Sequence, residues 1–149
     1  MHTVSAMRAD LIGQFASDQS IPLPFGGQAS CGFPSPAADY QEPDLSLDQL
    51  VGITPTSSIF LFRAWGNSMM GAGIHDGDVL VVDKAKQAQP GNVVLAVVGA
   101  EFLVKRLQVD GQGRAMLVAE HEGYAPIVLG EDEILEVWGV CRWVLHGLD

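Results

Sequence analysis

The sequence predicts a mostly β protein with one short helix and an extended N-terminal arm. Its apolar runs are short and rich in β-branched residues, as in Ile59-Phe60-Leu61-Phe62, Val79-Leu80-Val81-Val82 and Val93-Val94-Leu95-Ala96-Val97-Val98, which suits buried strands. Turn signals separate them at regular spacing: Pro90-Gly91, Gly99-Ala100 and Asp110-Gly111-Gln112-Gly113. The first 43 residues behave differently and show no sustained period of 2 or 3.6. Residues 21–36 are dense in Pro, Gly and Ser, which withhold backbone donors and raise the entropy lost on ordering. Two parts follow: a flexible arm over 1–43 and a folded domain over 44–149.

The arm admits a weak helix between Thr3 and Phe15. Ser46 and Gln49 have the spacing of a capping box, and Gly52 suits the position after a helix end, so a helix of about two turns is expected there. Ile59 to Trp65 alternates as a strand, followed by Val79–Asp83, Asn92–Val98 and Glu101–Val109, the last two joined as a hairpin through Gly99-Ala100. Arg114–Ala119, Pro126–Leu129 and Ile134–Leu145 complete the set, with a bend expected at Gly139.

Composition limits the function classes. The 149 residues are 48% apolar, enough for one core. No apolar run approaches the ~20 residues of a membrane span, and residues 1–19 lack the basic start and apolar block of a secretory signal. A cytoplasmic protein without a membrane partner is expected. Cys31 and Cys141 form no CxxC pair, and the four histidines lack metal-ligand spacing, so no metal or other cofactor is expected. The formal charge is −10 and the basic residues are scattered, which argues against direct, tight DNA binding.

The chemistry centres on Gly66-Asn67-Ser68-Met69-Met70-Gly71-Ala72-Gly73, a Gly-dense turn between two strands. A serine there can present its hydroxyl to a substrate, although most turn serines only bond their own backbone. A nucleophilic serine needs a base. Among the histidines, His75 and His121 read as loop residues and His146 lies near the end of the sequence. Lysine can serve if burial keeps it neutral. Lys84 and Lys86 belong to a polar turn, whereas Lys105 shares a strand face with Leu103 and Leu107. Lys105 is therefore the lysine placed for desolvation, the plain alternative being an edge-strand lysine with its head in water.

At this point the motifs become specific. Gly66-Asn67-Ser68-Met69, Gly73-Ile74-x-Asp76-Gly77-Asp78, Glu101-Phe102-x-Val104-Lys105-Arg106-Leu107, Tyr124-x-Pro126-Ile127 and Trp138-Gly139-Val140 together resemble the LexA/UmuD family of self-cleaving Ser-Lys peptidases. Upstream, Cys31-Gly32-Phe33-Pro34-Ser35-Pro36-Ala37-Ala38-Asp39-Tyr40 is similar to a cleavage segment of that family, so the likeness runs from about residue 31 to 145. It departs at Asn67, where an acidic residue is common, and in Glu120–Tyr124, which lacks a frequent asparagine.

The resemblance implies a LexA/signal-peptidase-like fold of small, coiled, mixed β-sheets. It implies Ser68 as nucleophile, Lys105 as general base, Cys31–Gly32 as the scissile bond, and the backbone N–H groups of Ser68 and Asn67 as oxyanion hole. It also implies an SOS-response homodimer, cleaved under the stimulus of a RecA–single-stranded DNA filament and then serving a UmuC-type error-prone polymerase. Two alternatives stand beside it: a LexA-like repressor and a non-catalytic polymerase-binding module.

Overall fold

The computed structural model describes residues 6–15, 46–121, 127–128 and 136–149. The chain divides into two compact units, residues 1–15 with 57–149, and residues 16–56. Within the second unit, helix α1 (Leu47–Leu50) is closed at both ends by its own sequence. The Ser46 side chain accepts from Gln49 N–H, and the Gln49 side chain accepts from Ser46 N–H. At the other end Gly52 takes φ +78°, a left-handed conformation that costs glycine little. Gly52 N–H then donates to the Gln49 carbonyl at 3.1 Å and Ile53 N–H to that of Asp48 at 2.8 Å, the two bonds of a Schellman motif.

Among the described residues the first unit is a sheet of eight strands: β1 (Arg8–Gln14), β2 (Ile59–Trp65), β3 (Val79–Asp83), β4 (Val93–Val98), β5 (Glu101–Val109), β6 (Ala115–Val118), β7 (Ile127–Val128) and β8 (Glu136–Leu145). They lie in the order β1-β2-β3-β8-β4-β5-β6-β7, and β1 also pairs with β5. That extra pairing closes the first six into a ring, leaving β6 and β7 as an extension. Mixed sheets were expected, but every described pairing is antiparallel. Links such as Gly99-Ala100 are too short for the crossover that a parallel pair requires.

The strands of residues 59–65 and 79–83 fall where the sequence pattern placed them. The bend expected at Gly139 is a register shift: Leu95 faces Gly139 while Ala96 faces Val137, so that Trp138 bulges out of the β4 ladder. A side chain at Gly139 would strike Val82 and the Asp83 carbonyl. The freed Trp138 stacks edge-on against Phe60, Phe62 and Phe102.

The N-terminal segment corrects the expectation. In place of a weak helix, residues 8–14 form β1, and residues 6–15 group with the sheet. The reason is a two-residue alternation: Met7 and Ala9 are buried, while Arg8 and Asp10 are exposed. Met7 and Ala9 join Phe62, Ala64, Met69, Leu80, Leu95 and Val104 in the main core. At ~25 cal/mol per Å2 of apolar area removed from water, such a pair of anchors can outweigh the helix propensity of so short a segment. A second core, Val94, Ala96, Leu107, Leu117 and Val140, fills the other face of β4 and β5.

Candidate active site

Ser68 lies three residues beyond β2, in the turn that the glycines predict, and it is completely buried. The turn is fixed to β2 by its own far end. Ala64 N–H donates to the Asp78 carbonyl at 2.8 Å and Gly77 N–H to that of Ala64 at 2.7 Å. Side chains complete the closure: Asp76 accepts from Gly66 N–H at 2.8 Å, and Asp78 accepts from His75 N–H at 2.8 Å. These aspartates explain the Gly73-Ile74-x-Asp76-Gly77-Asp78 motif as an element that holds the serine turn.

Lys105 lies in the middle of β5 and is only 3% exposed. Its strand neighbours Leu103 and Leu107 are buried on the same face, and Val94 is its partner across β4. Burial lowers its pKa from the ordinary 10.5, because the charged ammonium loses hydration there. Lys84 and Lys86 are exposed, as the polar turn implied, and Lys84 Nζ sits 4.7 Å from the Trp138 ring centroid.

The pairing of β5 explains how serine and lysine are related. One edge of β5 is paired with β4 from Glu101 to Arg106. Along the other edge the partner changes: Phe102 and Leu103 face β1, whereas residues 106–109 face β6. Lys105 occupies the seam between them. Ser68 is bonded to the chain on both sides of that seam. Its Oγ accepts from Met7 N–H, just before β1, at 2.8 Å, and its carbonyl accepts from Glu120 N–H, just after β6, at 2.8 Å. Met7 completes the bridge, its carbonyl accepting from Val104 N–H at 3.0 Å. One residue thus joins the serine hydroxyl to the backbone beside the lysine.

Glu120 is a second clamp. Its carbonyl accepts from Gly71 N–H at 2.6 Å, and its carboxylate pairs with Arg106, the neighbour of Lys105. Gly71 is required for this approach, since a Cβ there would collide with the Glu120 carbonyl. Within the described residues, the N–H groups of Asn67 and Ser68 are not donated to any acceptor, and the Asn67 side chain is exposed. Cys31 and Gly32 lie outside the described residues.

His146, near the end of the sequence, is held in place by the fold. Its Nδ1 is 2.6 Å from the buried Asp78 carboxylate, and its ring is 5.0 Å from that of His75. This pair braces the foot of the serine turn. Sequence reasoning missed Met7 and Glu120, the two residues that hold Ser68. Met7 had a signal in the alternation Met7-Arg8-Ala9-Asp10, and Glu120 had none that a single sequence could supply. Among the described residues no cluster of His, Cys, Asp and Glu is suited to a metal, and no helix is long and apolar enough to cross a membrane.

Comparison with known proteins identifies the family. A family model described as peptidase S24-like matches residues 24–142. The chain is 39% identical over 128 residues to Protein SamA of Salmonella typhimurium (strain LT2), covering 86% of this chain and 87% of that one. It is 37% identical over 147 residues to Protein ImpA of Salmonella typhimurium, covering 98% and 96%. It is also 37% identical over 134 residues to the LexA repressor of Shewanella sediminis, covering 89% of this chain and 64% of the repressor. A buried serine and a buried lysine on one seam, within a chain similar along most of its length to these proteins, lead to one conclusion: the chain belongs to the peptidase S24-like family, with UmuD-like relatives.

Proposed function

We propose that this protein is a self-cleaving Ser-Lys peptidase of the SOS response that cuts its own Cys31–Gly32 bond. The observation that carries the proposal is the seam on β5, where a fully buried Ser68 is tied through Met7 to the strand of a 3% exposed Lys105. Lys105 is the base because desolvation favours its neutral form, which can accept a proton. Ser68 Oγ attacks the Cys31 carbonyl carbon as Lys105 takes the hydroxyl proton. The N–H groups of Ser68 and Asn67 receive the developing oxyanion, which needs donors already in place. The proton passes to the Gly32 nitrogen as the C–N bond breaks, and water then releases the acyl group from Ser68.

The wider role is the one that the family resemblance implies. In the cytoplasm, a RecA filament on single-stranded DNA stimulates the cut, and the shortened homodimer serves a UmuC-type error-prone polymerase. The charge of −10 supports action through protein partners rather than by gripping DNA. The test is to incubate purified protein with RecA, nucleotide and single-stranded DNA and determine product masses. A product of 118 residues (149 − 31) beginning at Gly32 is expected. A Ser68→Ala chain that still cuts there overturns the proposal.

A non-catalytic polymerase-binding module is the second reading, and the complete burial of Ser68 favours it. It predicts no Gly32 product under any condition, with polymerase binding unaffected by Lys105→Ala.

A further inference from the structure

We infer that the N-terminal strand is an autoinhibitory plug: residues 6–9 occupy the peptide site on the β5 edge and must leave before Ser68 can act. The inference rests on the peptidase reading of Ser68. It starts from an observation that reading leaves unexplained, namely that the nucleophile has no exposure at all. A hydroxyl with no accessible surface cannot reach a peptide bond brought to it from elsewhere in the chain or from another chain.

What covers it is identifiable. Met7 N–H donates to Ser68 Oγ at 2.8 Å, and Met7 is itself fully buried. Beyond it, Arg8 faces Leu103 and Ala9 faces Phe102, with Trp65 and Ala64 as their partners on β2. The segment therefore lies between the strand that leads to the serine and the strand that carries the lysine. This is β-strand addition, the mode by which extended peptides bind sheet edges. Gly66 makes room for it: φ is +114°, and a Cβ there would stand 3.2 Å from Met7 Cα.

The geometry is that of an inhibitor rather than a substrate. A peptide N–H pointing at Oγ places that oxygen close to the amide plane, on the nitrogen side. Attack on a carbonyl carbon must come from above the plane. The Ala6–Met7 bond is therefore held out of line for cleavage while it engages a lone pair of the nucleophile. Release is also feasible at this point. On β5 the segment is held by the Arg8–Leu103 and Ala9–Phe102 pairs and the Val104–Met7 bond, whereas on β2 its pairing continues to Gln14 opposite Phe60. The β5 side can open while β1 stays anchored on β2.

The test separates the plug from the chemistry by placing a thiol at the nucleophile. In the full chain with Ser68→Cys, alkylation of the introduced thiol by iodoacetamide, mapped by peptide mass, should be slow. It should rise at least tenfold when Met7→Pro removes the N–H donor or when residues 1–10 are deleted. Mapping by peptide mass separates the introduced thiol from Cys31 and Cys141. In chains that keep Ser68, the same two changes should raise the rate of cutting at Gly32 at least tenfold, and a peptide of residues 2–12 added to the deleted chain should lower it again. Unchanged alkylation of the introduced thiol overturns the plug. So does faster alkylation with an unchanged cutting rate. Faster alkylation in a chain series that never cuts, unaltered protein included, upholds the cover and overturns the peptidase reading instead. If both variants lose their fold by circular dichroism, hydrogen exchange of the unaltered chain decides. Val104 N–H must exchange well before Leu95 N–H, and equal protection of the two sinks the proposal.

Discussion

Ser68 and Lys105 are buried to nearly the same degree by opposite means. Lys105 owes its burial to regular structure: it sits mid-strand, its inward direction is set by the two-residue period, and Val94 covers it across β4. Ser68 lies on an irregular turn, and its hydroxyl and carbonyl are held by residues 61 and 52 positions away, Met7 and Glu120. The lysine is thus a charge-bearing group in an apolar place, and the serine is an acceptor that satisfies a buried donor. The two should respond differently to removal even though both are assigned to one reaction.

The largest effect is common to both. Ser68→Ala and Lys105→Met should each lower the rate of cutting at Gly32 by about a thousandfold or more, as expected for residues acting as one unit. Stability should separate them. Ser68→Ala leaves the Met7 N–H buried without its acceptor, a loss of about 1–3 kcal/mol. Lys105→Met replaces a desolvated amine by an apolar chain of similar length and should stabilise the protein at neutral pH. Urea unfolding of both variants tests this, and a shared sign would end the contrast.

The lysine half has a pH signature. Its pKa is lowered in the folded chain, so between that lowered value and the ordinary 10.5 the unfolded state binds the proton and the folded state does not. Stability therefore rises with pH across that window. The advantage of Lys105→Met over the unaltered chain should be greatest at neutral pH and shrink as pH approaches the ordinary value. The rate of cutting in the unaltered chain should rise as pH passes through the lowered value and level off above it. A stability difference independent of pH would mean that Lys105 is not desolvated.

The same contrast explains what the sequence could reveal. Lys105 was legible because a strand's period is local: Leu103 and Leu107 declare the face on which it lies. Ser68 was half legible. Its glycines and aspartates announced a closed turn, and Asp76 and Asp78 do close it. What covers the hydroxyl was not legible. Met7 reaches Ser68 only because β1 closes the ring between β2 and β5, and that topology is non-local. The short alternation Met7-Arg8-Ala9-Asp10 ends in Leu11-Ile12, both exposed in the fold, which masked its period. The Ser46–Gln49 cap shows the opposite limit, since every partner lies within four residues and the whole motif could be read directly.

On the serine side, the backbone clamp should matter more than the side chains around it. Gly71→Ala forces a methyl against the Glu120 carbonyl, and overpacking of this kind costs about 1–3 kcal/mol. Gly111→Ala has no neighbour within 4 Å and no positive φ, so a change within about 0.5 kcal/mol is expected. Denaturation midpoints of the two variants give the comparison directly. Equal midpoints would show that the turn moves freely against Glu120.

The smallest expected effect lies in the link from that clamp to the lysine strand. The Glu120 carboxylate pairs with Arg106, with the two side chains 33% and 26% exposed. A partly hydrated pair of this kind contributes about 0.5–1 kcal/mol, and salt screens it. Glu120→Gln keeps a carbonyl that can accept from Arg106 and leaves both backbone bonds of residue 120 untouched. It should therefore cost less than about 1 kcal/mol, the deficit should narrow in high salt, and cutting at Gly32 should slow little. A loss larger than that of Gly71→Ala would reverse the ranking. It would place control of the serine turn in the Glu120–Arg106 ion pair beside Lys105, and the two halves of the site would then be coupled by charge rather than by backbone.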